Sequence, residues 1–417
     1  MWDPYAEFES ATLPNGLTVH AAYWPGRPWE AMGFLIHSGA EHDPIGLEGL
    51  AHFVEHVVSE NTSVSLKEMI AFFEDCGGGA DFGVTYYPGT RYRFFVPTDK
   101  AVLSRAFSMF GHMLLSAKIE KFIERERQVI ITEFNRCYPV KFKYDLDMRE
   151  HKALYQGHWL ERSVQPLGTP ESVGRITQKE LRSYYDANYT PANMSVVGVG
   201  GMQLPELVEL LSESPFADRK EGVRTPLPIP GTDVAPPSEN RYVFEISKHV
   251  SSPFGIGRYE SKARIPGNTN GRVLSLLQDM LDEVLKEEVR ERRAWAYTIG
   301  SSRHNFRDFY KLSITCDSLA LEALDDVEGV IEICIASIAD REDLFEQVKR
   351  RALAGNSMVD STGCGVRNDA LSDLANIQRI MSLAEIGNDL ERVTMDDIRS
   401  ALKWLRPERR WTLIVRP

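Results

Sequence analysis

The chain has 417 residues, 43% of them hydrophobic and 26% charged, a composition typical of a soluble globular protein. Its formal net charge of −12 argues against a general binder of nucleic acid or of anionic membranes, because both classes need a basic surface. At this length we expect two domains of about 200 residues each.

The amino-terminal stretch MWDPYAEFES resembles neither a secretory signal nor an Arg-rich transit peptide, because it is acidic and lacks a cationic segment before an apolar run. No window approaches about 18 consecutive apolar residues, so we expect no transmembrane helix. The five cysteines are scattered and form no C-x-x-C pair. Reduced thiols in a cytoplasmic protein explain this pattern better than disulfides or metal ligation.

The first half of the chain mixes strands and helices. Branched and aromatic residues predict strands at 17–24, 31–37, 90–96 and 194–200. Apolar residues at helical spacing predict helices at about 44–60, 66–75, 99–116, 118–137 and 178–187. Strands that are adjacent in sequence, with helices in pairs, favour an α+β fold with a mixed or antiparallel sheet over a doubly wound parallel sheet.

The second half repeats this order after a Pro-rich stretch, 215–239, which we interpret as a linker. Strands are predicted at 241–246, 252–258, 308–316 and 411–416. Helices are predicted after the GNTNG sequence, near 319–338, at 342–355 and at 394–405. We therefore expect two homologous domains, residues 1–214 and 240–417, each with helices packed on one face of a sheet.

One helix of the first half carries the sequence HFVEH at residues 52–56. His52, Glu55 and His56 share one helical face, separate from the apolar stripe that includes Leu50 and Val54. Histidines at i and i+4 can both direct a ring nitrogen at one metal ion about 2.0–2.1 Å away. A solvated helix face is the plain alternative, and only a further ligand distinguishes the two.

The predicted helix at 118–137 supplies a candidate ligand. Glu126 and Glu133 lie on its apolar stripe, beside Val129 and Ile130. A carboxylate in a core costs several kcal/mol unless a cation or hydrogen-bond donors meet it. We therefore expect both glutamates to face a positive group, although exposed glutamates on a short helix are the alternative.

Several motifs along the chain resemble the pitrilysin, insulysin and mitochondrial processing peptidase family. HSGAEHDPIGLEGLAHFVEH (37–56), followed at a distance by Glu133, is similar to its inverted zinc motif, His-x-x-Glu-His with a distant Glu. LPNGLTV (13–19), LGTPESVGRIT (167–177), YTPANMSVVGVGG (189–201) and VRERRAWAYTIGSS (289–302) also resemble the family pattern, in the same order.

The resemblance implies a zinc metalloendopeptidase that cleaves peptides in an enclosed chamber, with one zinc per chain. His52, His56 and Glu133 would be the zinc ligands, and Glu55 would be the base that activates the attacking water. Glu126 would orient a ligand histidine from outside the ligand set, as metal sites commonly need.

Arg290 and Tyr297 resemble the family's arginine–tyrosine pair, which donates to the oxyanion that develops on the attacked carbonyl. By themselves they are unremarkable, and a structural role is the alternative. In relatives with only two domains the partner subunit contributes this pair. The resemblance thus implies a homodimer, or a heterodimer with a homologous subunit.

The stretch 76–92 resembles the sheet edge to which relatives add a peptide substrate as an extra strand. The residues that correspond to it are Gly78, Gly79, Ala80, Asp81 and Phe82. This chain departs from the family pattern where Asp81 replaces asparagine and Phe82 replaces alanine. Ala294 also stands where a glycine is usual.

Two other functions stay open at this point. The chain could be the catalytic subunit of a heteromeric enzyme that matures one particular peptide. It could also be a non-catalytic scaffold subunit, although such relatives usually lose motif residues and this chain retains them.

Overall fold

The computed structural model describes residues 2–60, 64–226, 234–246, 257–356 and 362–417. The strands are β1 (Phe8–Thr12), β2 (Thr18–Tyr23), β3 (Trp29–Ile36), β4 (Gly79–Thr85), β5 (Thr90–Pro97), β6 (Met194–Gly200), β7 (Arg241–Glu245), β8 (Arg258–Pro266), β9 (Thr298–Asn305), β10 (Phe309–Asp317) and β11 (Arg410–Arg416).

The helices alternate with these strands along the chain. They are α1 (Leu50–Glu60), α2 (Leu66–Asp75), α3 (Lys100–Leu115), α4 (Ile123–Cys137), α5 (Lys141–Leu154), α6 (Pro170–Arg175), α7 (Gln178–Asn188), α8 (Leu204–Ser212), α9 (Gly271–Leu285), α10 (Val327–Ser337), α11 (Glu342–Asn356), α12 (Gly363–Ile377), α13 (Leu383–Arg392) and α14 (Met395–Ala401). Within the described ranges, each helix is too short or too polar to cross a bilayer.

The chain divides into two compact units. Unit 1 comprises the described residues of 1–145, 163–227 and 360–383, and unit 2 comprises those of 146–162, 228–359 and 384–417. The units are interleaved in sequence, since 146–162 belongs to unit 2 and 360–383 belongs to unit 1. The domain bounds 1–214 and 240–417 stay a prediction, and the described part of 215–239 contains no helix or strand.

Unit 1 is built on a six-stranded sheet with the order β1-β2-β6-β3-β5-β4. The pair β2–β6 is parallel and the other pairs are antiparallel, so the sheet is mixed. On one face Phe34 stacks against Phe110 and Phe216, with ring centroids 5.4 and 5.1 Å apart. The buried sides of α1 and α3 join this core. On the opposite face α12 lies close to Gly33, where an added Cβ would meet Leu371.

Unit 2 is built on a five-stranded sheet with the order β7-β11-β8-β10-β9, in which only β7–β11 is parallel. The apolar side of α9 packs on this sheet, with Leu277, Met280 and Leu281 fully buried. The predicted α+β class with mixed sheets is therefore confirmed.

Seven predicted strands are present. In the first half of the chain they are β2, β3, β5 and β6, predicted at 17–24, 31–37, 90–96 and 194–200. In the second half they are β7, β10 and β11, predicted at 241–246, 308–316 and 411–416. Strand 252–258 falls almost wholly outside the described residues, and β8 begins at Arg258. The sequence did not predict β1, β4, β9, α5, α6, α8, α12 or α13.

The predicted helix at 44–60 begins later, at Leu50. Residues 43–49 form a turn in which Gly46 and Gly49 have φ of 84° and 97°, a left-handed conformation that favours glycine. The buried Asp43 carboxylate accepts hydrogen bonds from the N–H groups of Gly49 at 2.7 Å and Ala51 at 2.8 Å. It thereby satisfies donors that a helix start leaves free.

Candidate metal centre

Helix α1 directs three polar side chains away from the core. Its apolar residues Phe53, Val54 and Val57 are fully buried in the core of unit 1. His52 and Glu55 are buried as well, so this polar face is covered and is not a solvated surface. Burial of histidine and carboxylate groups together requires compensating partners.

Helix α4 supplies those partners. Glu133 Oε2 lies 3.7 Å from Nε2 of both His52 and His56. One ligand atom from each of these three residues lies within 4.8 Å of the others. The sequence expectation that a glutamate of this helix meets the histidines thus agrees with the geometry.

These donors fit a zinc ion. Two atoms that each lie about 2.0–2.2 Å from one tetrahedral ion are roughly 3–4 Å apart, and the two measured separations of 3.7 Å agree with that spacing. Two imidazoles and one carboxylate also form the donor set of catalytic zinc sites that keep one coordination position open.

Burial and neighbouring charged groups together determine the protonation of the two histidines. Burial lowers the pKa of His52 to about 3, and His56 acts in the same direction, so the His52 ring is neutral as a metal ligand must be. Burial would also lower the pKa of His56, but hydrogen bonds to Glu126 and Glu133 raise it to about 10. The two carboxylates therefore create a local environment that favours a cation.

Glu126 contacts the outer side of His56. Its Oε2 lies 3.2 Å from His56 Nδ1, which leaves His56 Nε2 directed at Glu133. The Nδ1 atom of His52 is buried and has no hydrogen-bond partner among the described residues. Of the two rings, His56 is thus the one whose orientation a carboxylate fixes.

Glu55 lies beside the three candidate ligands, with Oε2 4.0 Å from His52 Nε2. Burial raises its pKa to about 7, against the opposing effects of His56 and of a hydrogen bond from Thr85. The Thr85 hydroxyl donates to Glu55 Oε2 at 3.0 Å. A Cβ at Gly83 would lie 2.5 Å from Glu55 Oε1, so β4 approaches the carboxylate closely only because this residue is glycine.

A cleft of about 1090 Å³ opens over these residues. Besides the candidate ligands and Glu55, its lining combines apolar groups such as Val84, Val129 and Leu167 with polar ones such as Thr132 and Gln165. A cleft of this size can hold several side chains of a peptide.

The candidate substrate edge lies on β4, which ends the sheet and, among the described strands, pairs only with β5. The ladder is irregular between Asp81 and Val84, which is a β-bulge. Asp81 forms an ion pair with Arg93, and its Oδ1 accepts the Gly83 N–H at 3.2 Å. The Phe82 ring packs into the core, 5.8 Å from that of Phe110.

The other edge residues precede the bulge. Gly79 and Ala80 are the first two residues of β4, directly after Gly78. An added Cβ at Gly78 would clash with the Phe95 carbonyl, so this position needs glycine. The structure brings all five residues to the sheet edge, and their contact with a peptide stays a prediction.

Arg290 and Tyr297 belong to unit 2. A π-helical turn, Lys286–Glu291, follows α9 and contains Arg290. The guanidinium lies 5.4 Å from the centroid of the Tyr297 ring, whose side chain is 80% exposed. Ala294, between them, has a φ of 54°, the left-handed conformation that suits the usual glycine.

Sequence models of known families match two long stretches of the chain. Residues 22–165 match "Insulinase (Peptidase family M16)", and residues 175–351 match "Peptidase M16 inactive domain". Mitochondrial-processing peptidase subunit beta of Neurospora crassa is 30% identical over 203 residues, which are 48% of this chain and 42% of that protein. An uncharacterized zinc protease of Mycobacterium leprae is 27% identical over 344 residues, 79% of this chain and 73% of the relative.

Solved structures share the fold along the chain. A putative M16-like peptidase from Alicyclobacillus acidocaldarius superposes with a TM-score of 0.80 at 19% identity, covering 99% of this chain and 98% of that one. The periplasmic protease PqqL from Escherichia coli has a TM-score of 0.80 at 17% identity, covering 98% of this chain and 47% of its own. The chain thus spans less than half of PqqL and of the Neurospora protein.

Proposed function

The chain belongs to the M16 family of peptidases, and on this premise we propose that it is a zinc-dependent metalloendopeptidase that cleaves peptides in an enclosed chamber. The observation that carries the proposal is the convergence of His52, His56 and Glu133 in one cleft, with Glu55 beside them. A relative named as a zinc protease supports the choice of metal.

We propose one zinc per chain, held by His52, His56 and Glu133. Zinc at such a site polarises a water molecule and lowers its pKa. Glu55 takes the proton of the attacking water, since its buried carboxylate lies beside the three ligands. Thr85 holds the carboxylate through its hydrogen bond.

The oxyanion that forms on the attacked carbonyl requires donors, and we assign this role to Arg290 and Tyr297. Neighbouring Arg292 and Arg293 are paired with glutamates, Glu288 among them. Arg290 has no carboxylate partner among the described residues, so its guanidinium is available to an anion. The exposed Tyr297 hydroxyl can donate as well.

We propose that Arg290 and Tyr297 act on the metal centre of a partner subunit in a homodimer. We also propose that peptide substrates add as a strand to the open edge of β4, where Gly78, Gly79, Ala80, Asp81 and Phe82 lie. The five cysteines, none of them disulfide-bonded, support a cytoplasmic location.

The relative named subunit beta favours a second candidate, the catalytic subunit of a heteromeric processing enzyme. That alternative predicts a zinc-loaded chain that is nearly inactive alone and active with a homologous subunit lacking the motif.

The base assignment is tested by Glu55→Gln in the full-length chain. We expect peptide hydrolysis to be abolished and zinc to remain near one per chain, because the side chain keeps its shape but loses its basicity. Zinc is measured by atomic emission and cleavage with a mixed peptide library. Glu124→Gln is the matched control, since this exposed α4 glutamate pairs with Arg127, away from the cleft.

An active Glu55→Gln enzyme would overturn the assignment of the base. A wild-type chain that takes up no zinc would overturn the proposed function and favour the non-catalytic scaffold instead.

A further inference from the structure

Arg125 lies next to the candidate metal centre and contacts two carboxylates at once. Its Nε is 2.8 Å from Glu126 Oε1, and a terminal nitrogen is 2.5 Å from Glu60 Oε2. The guanidinium also stacks over the Phe122 ring, 4.4 Å from its centroid. A planar guanidinium in such a fork presents its donors in fixed directions.

The position of Glu126 explains why this contact matters. The carboxylate uses Oε1 on Arg125 and Oε2 on His56 Nδ1. Its side chain is 6% exposed, so water is a poor substitute for either partner. With one oxygen fixed on each side, the carboxylate plane is set, and with it the direction of the His56 ring.

The backbone before Arg125 has an unusual conformation at Phe122. Phe122 has a φ of 56°, a left-handed conformation that is unfavourable for a bulky residue. It places the aromatic ring against the guanidinium one turn further along the chain. Unfavourable conformations of this kind persist where surrounding contacts hold them, often at functional sites.

Arg125 also links the two helices that carry the candidate ligands. Glu60 is the last residue of α1, and Arg125 is in the first turn of α4. The chain of contacts runs from Glu60 through Arg125 and Glu126 to His56, and so returns to α1. His52 has no equivalent support, since its Nδ1 lacks a partner among the described residues.

We propose that Arg125 is a positioning residue for the metal centre: it fixes Glu126, and through Glu126 it holds His56 in the orientation that binds zinc. This inference rests on the proposed function. The competing explanation is an ordinary half-exposed ion pair, which commonly contributes little.

The zinc dissociation constant of the full-length chain, measured by competition with a chromogenic chelator, distinguishes the two explanations. For Arg125→Met we expect binding about tenfold weaker, the lower end of the usual loss when outer-shell partners of metal ligands are removed. Arg125→Lys should restore part of it, because an ammonium can still reach Glu126. Arg182→Met, which removes an ion pair to Glu120 elsewhere in unit 1, should leave affinity unchanged.

A double-variant cycle tests whether Arg125 acts through Glu126. On a Glu126→Gln background, Arg125→Met should cause no further loss of zinc affinity. If the two substitutions acted independently, their fold losses of affinity would multiply. Thermal unfolding of each metal-free variant identifies any that is misfolded.

The proposal is overturned if a folded Arg125→Met variant binds zinc with wild-type affinity, or if the losses of affinity of the two single variants multiply fully in the double variant. The proposed function stays intact in either case as long as the wild type binds zinc. If Arg125→Met fails to fold, Glu60→Gln serves in its place, because it removes the other carboxylate that fixes Arg125, and unchanged affinity again overturns the proposal. A wild-type chain without zinc affinity overturns both.

Discussion

Glu55 shows how one carboxyl group is prepared for proton transfer by residues that are distant in sequence. Burial raises its pKa to about 7, and the Thr85 hydroxyl counters this by donating to Oε2. The same hydrogen bond restricts the rotation of the side chain. Thr85 therefore limits the rise in the pKa of Glu55 and fixes the direction of the base that we propose.

We expect Thr85→Val to reduce kcat/KM for peptide cleavage about tenfold, because a hydrogen bond to a charged group contributes about 1.5–3 kcal/mol. Thr85→Ser should retain most of the activity. The matched control is Thr132→Val, since Thr132 lines the same cleft but donates to the Gln128 carbonyl of its own helix. Steady-state kinetics of the zinc-loaded variants measures this, and equal losses in Thr85→Val and Thr132→Val would contradict the role of Thr85.

At this scale the sequence predicted the candidate residues on two helices, but it missed Thr85, the hydrogen-bond partner of Glu55. His52, Glu55 and His56 follow from helical spacing, and Glu133 from a carboxylate on an apolar stripe. Thr85 could not be found in this way, because its side chain reaches Glu55 only through the bulge of β4, whose register depends on β5. The stretch around it carried a signal only in its resemblance to a substrate-binding sheet edge.

At the scale of elements, the metal centre depends on where α1 begins. The turn at 43–49 allows the Asp43 carboxylate to accept hydrogen bonds from the N–H groups of Gly49 and Ala51, at the start of α1. A helix that began at residue 44 would leave a different set of N–H groups unpaired. Because His52 lies in the first turn of this helix, any fraying of the start would move a candidate ligand. The capping group and the ligand are thus coupled.

We expect Asp43→Ala to lower the free energy of unfolding by about 2 kcal/mol, since it leaves buried N–H donors unpaired, and to weaken zinc binding as well. Asp99→Ala is the matched control. Asp99 caps α3 through the N–H groups of Ala101 and Val102, and its loss should cost about 1 kcal/mol of stability without changing zinc affinity. Urea unfolding and chelator competition give the two quantities, and unchanged zinc affinity in Asp43→Ala would count against the coupling.

The elements that the sequence did not predict have identifiable reasons. The β4 segment, GADFGVT, has two glycines and no branched residue before Val84, so its extended form depends on pairing with β5. Helix α12 has two glycines in its first turn and weak amphipathicity, since it is buried against the sheet of unit 1. Tertiary contacts, which a single sequence does not reveal, decide both elements.

At the scale of the whole molecule, the sequence predicted two sheets of similar construction but not how the chain is shared between them. A Pro-rich stretch suggested contiguous halves, whereas each compact unit includes a short segment from the other half of the chain. Such an exchange leaves no signal in the sequence, because contacts between distant residues, and not local composition, assign each segment to its unit. The proposed composite site belongs to this scale as well, since it involves two chains.

The assembly is tested by mixing two inactive variants, Glu55→Gln and Arg290→Ala. If each site combines the zinc unit of one subunit with Arg290 and Tyr297 of the other, a mixed two-fold dimer contains one site with both defects and one intact site. Random exchange makes about half of the dimers mixed, so about a quarter of the wild-type activity should return. Mixing Glu55→Gln with Glu133→Gln is the matched control and should return none, because every zinc unit is then defective. Sedimentation establishes the dimer and affinity tags of two kinds establish the exchange, so exchanged dimers without activity would contradict a site shared between subunits.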